Sequence, residues 1–174
     1  DQLETNARYN IPGALRIKGE LNKEVLQQSF KIVVGRHESF RTSFQINTET
    51  KSPFQVISKE IKLNYKEIIG FLPIKKIKKM IVNGSYCFFE LNKRNLLKVK
   101  LFNLGNNDYI LYINMHHIIS DGWSMRIFLQ EISAIYNHLS NNNKNTDAVN
   151  ILPLLSVQYA DYALWQTQIF KGKL

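Results

Sequence analysis

Two adjacent histidines, His116 and His117, stand five and four residues ahead of an acid in Met115-His116-His117-Ile118-Ile119-Ser120-Asp121-Gly122-Trp123-Ser124. Histidine titrates near neutrality, so either ring could take a proton from an attacking amine or alcohol, or steady a charge that develops in the reaction. The stretch lies between an apolar run ending at Met115 and a helical pattern beginning at Trp123. Such a strand-to-helix junction exposes side chains while rigid elements fix them. If the strand continues through both histidines, alternation puts His117 on the face of Leu111, Ile113 and Met115, and His116 on the other face with Tyr112 and Asn114. Opposed imidazoles do not converge on one metal, and neither an HExxH helix nor a second cysteine supplies zinc-ligand spacing, so no metal site is expected. A hydrolase triad is equally unsupported, because there is no GxSxG elbow and Ser120 has no special claim to be a nucleophile. The structural alternative is that both rings satisfy backbone groups at the strand end. Asp121 reads as a helix N-cap accepting from the amide of Trp123 or Ser124, with Gly122 relieving backbone crowding beside it. A carboxylate buried at this turn would also want a guanidinium partner.

Two further stretches stand out. Arg36-His37-Glu38-Ser39-Phe40-Arg41-Thr42-Ser43-Phe44 falls at a helix-to-strand transition, where Arg36 and Arg41 could supply that guanidinium or form generic surface pairs. Tyr159-Ala160-Asp161-Tyr162-Ala163-Leu164-Trp165-Gln166 has aromatics at 159, 162 and 165, a spacing that packs a terminal helix.

The elements that hold these residues follow from periodicity. Ala14 to Lys18 alternates and ends at Gly19, which suggests a short strand; Asn22 caps a helix whose Leu26, Phe30 and Val33 share one stripe and which runs to about His37. Alternation predicts strands at Phe40 to Phe44 and Phe54 to Ile57. Ile74, Ile77 and Ile81 mark one face of a Lys-rich helix between Pro73 and Val82. Leu97 to Leu101 and Tyr109 to Met115 form a hairpin turned by Gly105 to Asp108, with the second strand buried. Met125, Phe128, Leu129, Ile132, Ile135, Tyr136 and Leu139 keep helical spacing for four turns from Trp123. Asn141 to Asp147 reads as an exposed loop, and a last helix spans about Val157 to Phe170. This order implies an α/β fold, a two-layer sandwich of a mixed β-sheet with helices, without internal repeats.

Composition narrows the setting. With 174 residues, 44% of them hydrophobic, the chain fits one globular domain with a core of its own. The single cysteine, Cys87, excludes an internal disulfide framework and favours a reducing, cytoplasmic setting. The longest apolar run, Tyr109 to Ile113, is far short of the roughly 20 residues that span a bilayer, so neither a transmembrane helix nor a signal peptide is expected. Eight of the nine net positive charges lie between Lys59 and Lys100, where eleven Lys and Arg face three Glu. A solvated lysine face accounts for them, and attraction to an acidic partner is the functional alternative. Nucleic acid is disfavoured, since arginine is sparse in this segment and no nucleic-acid-binding motif accompanies the charge.

Taken together, the three stretches resemble the condensation domains of nonribosomal peptide synthetases, which share the chloramphenicol acetyltransferase-like fold. The family's HHxxxDG motif is present as His116 to Gly122 followed by Trp123-Ser124, RHExLRTxF as Arg36 to Phe44 with Phe40 replacing the usual Leu, and YxDYAxWQ as Tyr159 to Gln166. The opening Asp1 to Asn22 resembles the segment after the family's first motif. The resemblance implies amide bond formation between a donor acyl or peptidyl thioester and the amine of an acceptor aminoacyl thioester. Both ride on phosphopantetheine arms of donor and acceptor carrier proteins, so no cofactor is bound by the chain itself. It makes His117 the catalytic position and His116 a supporting one, pairs Asp121 with an arginine, Arg36 first and Arg41 second, and has Gly122 keep a channel open beside His117. Ser120 to Ser124 is closest to the LCL type. An epimerisation domain or a non-catalytic recruitment domain are the alternatives, while cyclisation domains, which carry aspartates for the histidines, are excluded. The resemblance further implies that residues 1–174 form an N-terminal lobe lacking the first motif and the C-terminal lobe. Carriers, that lobe and neighbouring synthetase domains would be its partners, and the 174 residues alone would be inactive.

Overall fold

The structure, a computed structural model, describes residues 7–70, 72–141 and 151–172. Strand β1 (Asn10–Lys18) is followed by helix α1 (Lys23–Arg36), β2 (Thr42–Ile46), β3 (Pro53–Ile57), β4 (Asn64–Ile68), α2 (Ile74–Ser85), β5 (Leu97–Gly105), β6 (Asp108–His116), α3 (Gly122–Asn141) and α4 (Tyr159–Phe170). Four strands form one mixed sheet in the order β1-β6-β5-β4, in which only β4 and β5 run parallel. Strands β2 and β3 make a separate antiparallel pair.

The expected mixed sheet with helices is present, but helices cover both faces of the sheet, which makes three layers where two were expected. Val99, Leu101, Leu111, Ile113 and Met115 point to one side, where they pack with Leu26, Phe30 and Val33 of α1 and Phe128, Ile132 and Ile135 of α3. The alternate residues Phe102 and Tyr112 meet Ile77 of α2 on the other side. Strand β6 is therefore enclosed on both faces and buried from Leu111 through His116.

Local chemistry explains where the elements begin and end. The Asn22 carboxamide accepts from the Val25 amide at 3.0 Å and starts α1. Between β5 and β6 the chain reverses through Gly105, Asn106 and Asn107, all at positive φ, which glycine and asparagine tolerate best. Strand β1 starts four residues earlier than alternation suggests. It carries Pro12 and Gly13, which are admissible because β1 is an edge strand. Phe40 is not in a strand: Glu38–Arg41 form a 3-10 turn, closed by the Thr42 hydroxyl donating to the Glu38 carbonyl, and β2 begins only at Thr42. Alternation does not reveal strand β4, since Tyr65 and Ile68 are its only strongly apolar residues. Of the Asn141 to Asp147 loop, Asn141 ends α3 and the remainder lies outside the described residues. Among the described residues no helix is long and apolar enough to cross a membrane.

Candidate active site

Strand β6 ends at His116, and the next three residues, His117–Ile119, form a single 3-10 turn leading to Asp121 and α3. The two histidines thus separate by burial. His116 is 6% exposed and keeps the strand alternation, whereas His117 leaves the strand and is exposed. The condition that would have put His117 on the Leu111 face, a strand running on through it, is not met.

The environment of His116 fixes what that ring can do. Its Nδ1 accepts from the Ile118 amide at 3.1 Å, and so holds the turn that presents His117. With Nδ1 accepting, the neutral ring carries its proton on Nε2, which is buried and has no hydrogen-bond partner among the described residues. Tyr9 and Phe89 flank the ring with centroids 6.1 Å away, Phe89 edge-on. Burial, and secondarily the neighbouring His117, hold His116 below the ordinary histidine range. His116 is therefore a neutral structural imidazole, and His117 is the one of the pair open to a reacting group.

Asp121 caps α3. One of its carboxylate oxygens accepts from the Ser124 amide and the Ser124 hydroxyl, each at 2.7 Å. These bonds hold its carboxyl below the usual carboxylate range. The expected arginine pairing is not formed: Arg36 instead bonds Glu131 through Nε at 3.2 Å and donates to the Pro153 carbonyl, while Arg41 donates to the Ser58 carbonyl and lies 3.9 Å from Glu38. The reason is competition for partners: Arg36 is taken by Glu131 and the Pro153 carbonyl, Arg41 by the Ser58 carbonyl, and Asp121 is already satisfied within its own turn. A Cβ added at Gly122 would meet nothing within 4 Å, so local crowding does not require glycine there.

The RHE stretch and the terminal helix do meet near this turn. The Arg36–Glu131 contact is joined by His37, whose Nε2 lies 2.6 Å from the other Glu131 oxygen. Gln158 donates to the Arg36 carbonyl and accepts from the Glu38 amide, tying the start of α4 to the end of α1. A recess of about 140 Å³ between the segment after α1, the histidine turn and α3 is lined by His37, Ser39, Phe40, Ile119, Ser124, Ile127 and Phe128. Of the two amides expected to meet Asp121, the Ser124 one does so. Glu131 and Phe89 were missed by sequence reasoning, and neither carries a local signal; Glu131 reaches across 95 positions to Arg36. Among the described residues no three His, Cys, Asp or Glu side chains gather where they could hold a metal ion.

Known structures share this fold, and known sequences resemble this one over most of the chain. The chain superposes with a TM-score of 0.79 on the X-domain from teicoplanin biosynthesis, at 24% identity over 99% of this chain and 36% of that one. The first condensation domain of the CDA synthetase matches with a TM-score of 0.70 at 22% identity, covering 80% of this chain and 37% of that one. Gramicidin S synthase 2 of Aneurinibacillus migulanus is 34% identical over 95% of this chain, and bacitracin synthase 2 of Bacillus licheniformis 36% identical over 94%. The chain spans only 3% and 6% of the length of these two synthetases. The family model for the condensation domain matches residues 1–174 throughout. With the histidine motif at the end of a buried central strand and helices on both faces of a mixed sheet, the chain belongs to the condensation domain family of nonribosomal peptide synthetases, with the chloramphenicol acetyltransferase-like fold.

Proposed function

We propose that residues 1–174 are the histidine-bearing N-terminal lobe of a condensation domain that joins a carrier-bound donor to a carrier-bound acceptor in nonribosomal peptide synthesis. The observation that carries this reading is the division within the histidine pair: His116 is buried and holds the turn through Nδ1, leaving His117 exposed at a fixed position. In the step, the acceptor α-amine attacks the donor thioester carbonyl, a C–N bond forms, the C–S bond breaks and the pantetheine thiol leaves with the proton lost by the amine. His117 orients the amine and relays that proton. An α-amine of pKa about 8 is already partly free base near neutrality, so orientation carries much of the acceleration. Asp121 serves the turn, Gly122 keeps the channel beside His117 open, and the donor and acceptor carriers bring both substrates. No cofactor is needed in the lobe itself.

The sequence Ser120 to Ser124 favours an LCL domain, which takes an L-configured donor. The test is to supply the complete domain carrying this chain with a donor carrier loaded with an L- or D-aminoacyl group and an acceptor carrier loaded with an amino acid, then to weigh the intact carriers. Dipeptidyl product on the acceptor from the L donor supports the reading, whereas racemised donor thioester without amide assigns an epimerisation domain. One observation favours recruitment as the second reading: the X-domain, whose fold this chain shares, has been solved in complex with OxyB. Unchanged carriers from an intact, folded domain would favour that role.

A further inference from the structure

Behind the histidine turn, on the α2 side of the sheet, three polar side chains from three adjacent strands converge on one short segment. Asn10 of β1 donates to the carbonyls of Ser85 and Cys87, both at 2.7 Å. Asn114 of β6 donates to the Gly84 carbonyl at 2.9 Å and reaches the Cys87 sulfur at 3.4 Å. Lys98 of β5 donates to the Phe88 carbonyl at 3.1 Å and to the Cys87 sulfur at 3.2 Å, with its ammonium 4.4 Å from the centre of the Phe89 ring. The strand register explains the convergence, since Asn10 pairs with His116 and Lys98 with Asn114. Gly84 lets the segment come this close: a Cβ there would sit 3.1 Å from the Tyr112 hydroxyl.

The polar character of this cluster is unexpected for its position. Asn114 is fully buried in the middle strand pair, where an apolar residue would pack with less desolvation, and the clustered donors bond carbonyls at the end of α2 and just beyond it, of which the Gly84 carbonyl also accepts from the Cys87 amide at 3.1 Å. The segment they hold ends in Phe89, which is buried edge-on against His116, and His116 in turn accepts from Ile118 in the turn that carries His117. We infer that Asn10, Lys98 and Asn114 are positioning residues: they clamp Gly84–Phe88 so that Phe89 fixes the His116 ring, and through it the placement of His117.

This inference rests on His117 being the reacting histidine, so its test separates the two. Asn114→Leu keeps the branched side-chain shape and removes the amide; Lys98→Met keeps the aliphatic stem and removes the donors. Turnover is measured in the complete domain carrying the chain, with His117→Ala as the control, and the histidine ring signals are followed by NMR in the 174-residue chain. Each variant is expected to lower kcat about tenfold or more while KM for the acceptor carrier stays as in wild type, because placement and not docking is disturbed. The His116 ring resonances are expected to move and its titration midpoint to rise toward the ordinary histidine value. If Asn114→Leu does not fold, Lys98→Met alone decides. A folded variant whose His116 signals, titration and kcat all match wild type overturns the clamp. Full activity in His117→Ala would overturn the role of His117, while the movement of the His116 signals would still report on the clamp.

Discussion

Asp121→Ala removes the acceptor for the Ser124 amide and hydroxyl and is expected to cost about 1 kcal/mol, the usual loss for a helix N-cap. Asp121→Asn keeps an acceptor oxygen and should retain most of that. The carboxyl is held below its unfolded value by these bonds, so the stability it supplies is complete above about pH 4 and fades as the pH falls through the lowered value. His116 is likewise depressed, by burial. The unfolded chain takes up its proton first, and stability declines as the pH drops below about 6.5. Urea midpoints at pH 3.5 and pH 7 should therefore lie closer together in Asp121→Asn than in wild type; an unchanged gap contradicts the cap. Much of this site could be read from residue types: the histidine pair, and a capping acid before a helix. The split between a buried and an exposed histidine was not legible. It depends on the strand stopping at His116, and on Tyr9 and Phe89 arriving from distant positions.

Glu131 organises the elements around the site. Its two oxygens take Arg36 and His37, and the Arg36 and Glu131 side chains are only 10% and 12% exposed. Glu131→Ala leaves a largely buried guanidinium without its acid and is expected to destabilise the chain by about 3 kcal/mol, measured by urea unfolding. A loss within about 0.5 kcal/mol would show that α1 and α3 hold together by packing alone. Periodicity predicted α1, α2, α3 and the β5–β6 hairpin because their apolar stripes are long and regular. It could not find β4, whose five residues pair with β5 but bury little, and it extended β2 into Phe40, which instead turns back to lay its ring 4.8 Å from Phe128. The Arg36–Asp121 pairing failed for a related reason: sequence shows which charges exist, and the fold decides which of them meet, here Arg36 with Glu131.

Across the whole molecule the charge and the apolar surface are both concentrated. Lys75, Lys76, Lys78 and Lys79 are exposed on α2, and the helix has no acidic residue to pair with them. Replacing all four by Gln should leave the urea midpoint nearly unchanged, as expected for solvated surface lysines; a large loss would reveal an engagement that the fold does not show. Trp123, Leu164, Trp165 and Phe170 are exposed, and Tyr159, Tyr162 and Trp165 stack along α4, which buries none of its residues. A surface of this kind favours association, so light scattering of the 174-residue chain should show mass rising with concentration. A monomer at all concentrations contradicts that. The central claim, that the exposed histidine of the pair is the reacting one, is tested most directly by single-turnover transfer in the complete domain carrying this chain. Intact mass of the acceptor carrier is followed for wild type and His117→Ala. The account predicts that wild-type protein adds the donor acyl mass to the acceptor and that His117→Ala, equally folded, does so at least a hundredfold more slowly. Equal rates for the two proteins would contradict it.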